Sequence, residues 1–482
     1  MKQGASTLFV GIRTLTAGTV LIQAGRLLVL LVLSRWLPPS EFGILSLATA
    51  IVGFSSFFVD AGVSNVFYRE EVTDEAARSS LFWLNIVLGV AMCCLIVVVS
   101  PMIAGYYDIP ALKPVLNLTS LSLIFTALAA QHRVHLRRMM RFDQLIRIDA
   151  VSFGVNAAVT LIGAWYGAGV FAMVAGTVLG NMVATMGYLL AGGKAWLPRC
   201  QFSYVAIKPH LGFGMYQMGE RLSNFLAERA DVFIIGKVLG PGPLGLYDVL
   251  KQLLSRTESI VNPIVSQATL PVMARKHHNL LFVKVIYLKS LELSNTLNIT
   301  VYGLVICMPT AFLSVVAGPQ WAGETAVLIF LAAYYIIHAS FNPVGSLLLA
   351  KGRADLGFWW NIAMLLLTPP IVWAGTKGGT VGVALALVGM FVCLAPFLFL
   401  FLIRPLSGAR WAEYLRTLFR PLLMVLVCGA AAFVVSTAFP LPPLAALLLF
   451  TVLYLPAIWW WLGRYNRNIF RLLRKTVSGG NK

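Results

Sequence analysis

Seven polar side chains interrupt one otherwise apolar stretch: Asp248, Lys251, Gln252, Ser255, Arg256, Ser259 and Asn262. Their spacing of i, i+3, i+4, i+7, i+8, i+11 and i+14 is one continuous face of a helix. The stretch before it repeats the device with Gln217, Glu220, Arg221, Asn224, Glu228 and Asp231. A third row carries Thr16, Thr19, Gln23 and Arg26, a fourth carries Lys289, Glu292, Thr296 and Thr300, and Asp60 stands alone. A charge near the middle of a bilayer costs about 2.5 to 3.5 kcal/mol on insertion scales, so such residues face water or one another, not lipid. For Asp231, Asp248, Lys289 and Glu292, close to predicted helix ends, burial in ion pairs and snorkelling remain open beside a wet site. A pair such as Glu228 with Arg26 would be of that kind. For Arg26, Glu220, Arg221 and Arg256, nearer mid-depth, a water-filled cavity is the reading adopted. Arg and Lys lining such a cavity attract an anion, and the guanidinium fork suits phosphate. The interleaved carboxylates Asp60, Glu220, Glu228 and Asp248 are candidates for binding H⁺ or Na⁺, or for preventing over-tight retention of product; the sequence leaves these alternatives open.

The elements that position these residues follow from composition. The chain has 482 residues, 59% hydrophobic and only 11% charged, too apolar for an ordinary water-soluble protein. Apolar segments of about 20 residues recur along it, the length of a spanning helix, where a barrel would show alternating strands of about 10. Hydrophobic windows predict about fourteen helices, centred near residues 24, 55, 92, 125, 157, 180, 224, 257, 302, 335, 365, 391, 428 and 452. The net charge of +19 points to anionic headgroups and not to nucleic acid. With the N-terminus inside, 27 of the 37 Lys and Arg fall on the cytoplasmic face, the C-terminal tail included, and only Arg35, Lys113, Lys237 and Lys377 fall outside, which satisfies the positive-inside rule. Outer loops of roughly 10 residues or fewer exclude an extracytoplasmic catalytic domain. Six cysteines without a CxxC pair offer neither a disulfide framework nor a metal site, and no cofactor is expected. Lys2 and Arg13 precede the first apolar stretch without a small-residue cleavage signal, so that stretch is expected to be an uncleaved first helix.

An internal repeat runs through this array. Arg35–Ile44 reads RWLPPSEFGI and Lys237–Leu246 reads KVLGPGPLGL, at an offset of 202; Arg141-Phe-Asp143 and Arg353-Ala-Asp355 echo one another at 212. Each offset spans six predicted helices, so the halves share one orientation. Pro263, Pro271, Pro309, Pro343, Pro369, Pro370 and Pro396 predict kinks.

The phrases Arg35-Trp-Leu-Pro-Pro-Ser-Glu-Phe-Gly43, Phe58-Val-Asp60-Ala-Gly62, Phe82-Trp-Leu-Asn85, Arg141-Phe-Asp143, Asp231-Val-Phe-Ile-Ile-Gly236, Leu244-Gly-Leu-Tyr247, Pro319-Gln-Trp321 and Lys351-Gly-Arg353, in this order, resemble the Wzx-type polysaccharide flippases of the multidrug/oligosaccharidyl-lipid/polysaccharide exporter superfamily. The resemblance implies an all-α, MATE-like polytopic membrane protein with two parallel six-helix lobes, 1–203 and 204–405, and two further helices with a basic tail, 406–482. It also implies a central cationic cavity, and alternating access that carries undecaprenyl-diphosphate-linked oligosaccharide outward across a bacterial inner membrane. Arginines on the first and eighth helices of relatives suggest Arg26 and Arg256 for the diphosphate. Arg221 and Lys251 add to the charge, Gln217, Asn224 and Gln252 are expected to meet sugar hydroxyls, and Gln23 is a further substrate-binding candidate. Polymerisation and chain-length proteins are the partners this reading would add. A cation-coupled drug exporter of the same superfamily would want a more acidic cavity, and a glycosyl polymerase or ligase would need the missing outer loop.

Overall fold

The computed structural model describes residues 2–60, 75–192, 199, 201–439 and 442–458; within them the side chains of 2–17, 206–217, 220, 319, 320, 322 and 354 are left out of account. Fourteen long helices follow one another along this length: α1 Lys2–Trp36, α2 Pro39–Asp60, α3 Glu75–Tyr107, α4 Leu112–Arg138, α5 Phe142–Trp165, α6 Val170–Gly192, α7 Tyr204–Val238, α8 Pro241–Arg275, α9 Leu280–Cys307, α10 Thr325–Phe341 continued by Pro343–Ala350, α11 Ala354–Gly375, α12 Gly379–Leu398, α13 Trp411–Ala438 and α14 Pro443–Ile458. Each sits on one of the predicted centres. Among the described residues nine helices are long and apolar enough to cross a membrane unaided, ten if α9 and the short helix Pro309–Val316 form one span. At 35 residues each, α7 and α8 are long enough as well; their polar rows keep them out of that set. Of the predicted kinks, the one at Pro309 is sharp, a bend of 97° between α9 and Pro309–Val316.

The chain divides into two compact units, residues 1–253 with 355–387 and residues 254–354 with 388–482. In the first, the short turns at 37–38, 108–111, 166–169 and 239–240 gather at one end. Lys237 reaches from α7 to the Tyr106 carbonyl and lies 3.0 Å from Asp108, and a Cβ on Gly169 would meet the Glu41 carboxylate. The tightest approach there joins the two echoing segments. A Cβ on Gly43 would overlap the Pro241 carbonyl, and a Cβ on Gly245 would overlap the Pro39 carbonyl. Both relations map onto each other at the offset of 202, so the repeat meets itself across a local two-fold made of main chain. Small residues allow helices in a membrane to come this close.

At the opposite end of this unit, Arg199 pairs with Glu75 at 2.9 Å, and Trp83 Nε1 donates to the Arg199 carbonyl at 2.9 Å. Nearby, Asp149 accepts from the Tyr188 hydroxyl and lies 3.6 Å from Arg133. The basic stretch of Arg133, Arg137, Arg138, Arg141 and Arg147 belongs to this end.

In the second unit α9 is the central element. Asn295 donates to Thr417 of α13 at 3.3 Å and accepts from Ser340 of α10 at 2.9 Å. Thr300 contacts the Tyr454 hydroxyl of α14 at 3.2 Å, and Lys284 pairs with Glu413 at 2.7 Å. Its polar row is therefore consumed in packing: Glu292 is buried, Lys289 lies 4.0 Å from it, and Thr296 donates to its carbonyl.

Candidate functional site

The helices that carry the predicted site residues belong to three rows, and the structure treats them differently. On α1, Gly18 and Gly25 lie against Ile146 and Phe153 of α5, which leaves the neighbouring Arg26 exposed; it makes no hydrogen bond or ion pair among the described residues. Gln23, one turn earlier, is half-buried.

On α7, Gly53 and Phe57 of α2 receive Phe225, a packing that sets Arg221 beside the end of α2. Its guanidinium lies 3.9 Å from the Asp60 carboxylate, with both groups partly exposed. Asn224 and Glu228 are exposed on the same row. Four polar side chains, Arg26, Arg221, Asn224 and Glu228, are thus accessible on helices of membrane-spanning length, where hydrocarbon is not a tolerable neighbour. The Gln217 and Glu220 side chains lie outside the described residues, as do Ala61 and Gly62 of the phrase that begins at Phe58 and the cationic tail.

Further along the hairpin of α7 and α8 the charges satisfy one another. Lys251 pairs with Asp231 and donates to the Glu228 carbonyl at 3.0 Å. Asp231 also accepts from the Tyr247 hydroxyl and the Val232 N–H, each at 2.9 Å. Asp248 accepts from Gln252 at 2.7 Å and lies 3.6 Å from Arg229. Asp231 and Asp248 are buried. The ammonium of Lys251 and the amide of Gln252 are accordingly already held by carboxylates of their own hairpin, and Glu228 has no ion pair with Arg26.

The lower part of α8 lies in the second unit. Arg256 there is half-buried, and its carbonyl accepts from Ser259 at 2.8 Å.

Three participants stood outside the sequence rows: Arg229, Glu258 and His338. Arg229 adjoins Glu228 but falls off the row. Glu258 lies ten residues beyond Asp248, at the edge of the face read as the stripe. His338 is 3.0 Å from both Glu258 carboxylate oxygens. No periodicity within a single helix signals such a partner on another.

Comparison with known proteins agrees with this architecture. The lipopolysaccharide biosynthesis protein WzxC of Escherichia coli (strain K12) is 24% identical over 84% of this chain and 82% of its own. The teichuronic acid biosynthesis protein TuaB of Bacillus subtilis (strain 168) is 27% identical over 80% and 79%. Among solved structures, the lipid II flippase MurJ in an inward closed conformation superposes with a TM-score of 0.71 at 12% identity, covering 92% of this chain and 99% of that one. An inward-facing MATE family multidrug transporter gives 0.63 at 13%, covering 80% and 95%. The fold is thus the MATE and MurJ fold of the exporter superfamily. The polysaccharide biosynthesis protein family matches residues 32–326, more than half of the sequence, and the chain belongs to that family.

Proposed function

We propose that the protein moves undecaprenyl-diphosphate-linked oligosaccharide from the inner to the outer leaflet of a bacterial inner membrane by alternating access, breaking no covalent bond. Support comes from the family, from relatives named for the biosynthesis of lipopolysaccharide and teichuronic acid, and from a fold shared with a lipid II flippase. The observation that carries the reading is the accessible Arg26 on a spanning helix, with Arg221 and Asn224 accessible on another. A guanidinium in that setting holds a diphosphate through paired N–H donors. In this reading Arg26, Arg221 and Arg256 take the diphosphate, Gln23, Gln217 and Asn224 meet sugar hydroxyls, and Asp60 limits the grip of Arg221. Lys251 and Gln252 act by holding the α7–α8 hairpin in place. The repeat halves 1–203 and 204–405 are the moving parts, both termini face the cytoplasm, and anionic headgroups and polymerisation proteins meet the basic end.

Replacing Arg26 and Arg256 singly by Ala is expected to trap lipid-linked repeat units in the inner leaflet, with Lys at either position restoring part of the transfer. Normal outward transfer in both Ala variants overturns the assignment. Mass spectrometry of lipids that co-purify with the protein identifies the cargo directly.

A further inference from the structure

One ionisable pair in the second unit lies outside the residues assigned above to cargo. Glu258 of α8 is buried, its side chain 11% exposed, while His338 of α10 is 36% exposed. The imidazole Nδ1 stands 3.0 Å from each carboxylate oxygen, so an N–H there donates to the carboxylate.

The surroundings are aromatic. Tyr334 stacks on His338 with centroids 5.4 Å apart, Phe391 of α12 meets it edge-on at 5.4 Å, and Tyr335 does so at 6.2 Å. From α9 the facing group is Tyr302, whose hydroxyl is taken by the Leu254 carbonyl at 3.2 Å. Arg256 is two residues away on α8 itself. Among the described residues His338 is the one ion-pair partner of Glu258, and the element α12 presents no charge to it.

Such a pair is neutral overall with one proton and carries a full charge when it gains or loses one. In an apolar box that change is costly unless water reaches the site, so proton exchange is tied to access. Histidine is the side chain whose charge changes near neutrality, and its exposed ring is the entry for a proton that the buried carboxylate then shares. Ionisable chains of Glu and His inside a membrane are the usual material of proton relays.

We propose that Glu258 and His338 form a proton-binding site that couples a proton gradient to the transport cycle. A proton passes from water on one face to the imidazole–carboxylate pair and leaves to water on the other, with no electron transferred. The coupling, though not the proton binding, rests on the flippase reading.

The test uses the whole protein in liposomes holding a pH dye and lipid-linked oligosaccharide, alongside Glu258→Gln and His338→Gln checked for folding by gel filtration. A gradient of one pH unit biases a one-proton step about tenfold. The wild type is expected to show that bias and a proton flux with cargo, and each variant to keep gradient-free transfer while losing both. Transfer by the wild type that ignores the gradient overturns the inference and leaves the flippase reading standing. If the wild type transfers nothing, that reading fails, and the site is judged on stability alone. Melting temperature between about pH 5 and 8 should vary most in the wild type and less in both variants, and profiles identical in all three overturn the proton site. Should one variant fail to fold, the other decides.

Discussion

Lys251 is the residue on which two roles can be separated by measurement. Its ammonium is 19% exposed and its partner carboxylate on Asp231 4% exposed, so replacing Lys251 by Met leaves a buried anion. Removing one member of a buried pair costs about 3 to 5 kcal/mol. Tyr247 and the Val232 N–H still donate to Asp231, which puts the expected loss near the lower end, about 3 kcal/mol. Adding Asp231→Asn removes the stranded charge, and the double variant should regain about 1 to 2 kcal/mol relative to the sum of the singles. The assay is the folded fraction surviving a denaturant or temperature series in lipid-supplemented detergent, for wild type, both singles and the double. Transport measured on the same four proteins should follow stability, with the double variant more active than Lys251→Met. Additive losses, or a Lys251→Met protein as stable as the wild type, would refute the structural role. A double variant that regains stability but no transport would return Lys251 to direct contact with cargo.

Gly43→Ala and Gly245→Ala each drive a methyl into a carbonyl of the opposite repeat and should destabilise by about 1 to 3 kcal/mol. Gly105→Ala, whose added methyl meets nothing within 4 Å, should be neutral or slightly stabilising in the same melt because alanine favours the helix. Asn295→Leu leaves Ser340 and Thr417 without their shared partner. The loss expected is about 1 to 3 kcal/mol, read as earlier melting of the protein.

The fourteen helices were legible because a spanning segment writes its length into the sequence as an apolar run, and α7 and α8 were legible by period where hydropathy fell short. The repeat was legible too, and Gly43 and Gly245 show why those letters recur: the main chains touch there. Pairing was harder to read. The row on α9 shares the helical period of that on α8, yet Thr300 of that row and the nearby Asn295 spend their polarity on α10, α13 and α14. Spacing reports which residues share a face, while the neighbour opposite that face depends on segments as much as 154 positions away, as for Thr300 and Tyr454. Glu258 is illegible from its own helix for the same reason, since its partner lies 80 residues on.

The mutual satisfaction of charge within the α7–α8 hairpin bears on how the chain enters the bilayer during synthesis. Among the described residues neither helix qualifies as a lone span by hydropathy, yet Asp231 pairs with Lys251, and Asp248 with Arg229, across a connection of only two residues, 239–240. Partitioned singly, each segment would take two of these ions past the lipid without the partners they meet across the hairpin; delivered as a preformed pair, all four cross ion-paired. Insertion of the seventh and eighth segments together, as a hairpin, is the route on which those four ions stay paired throughout.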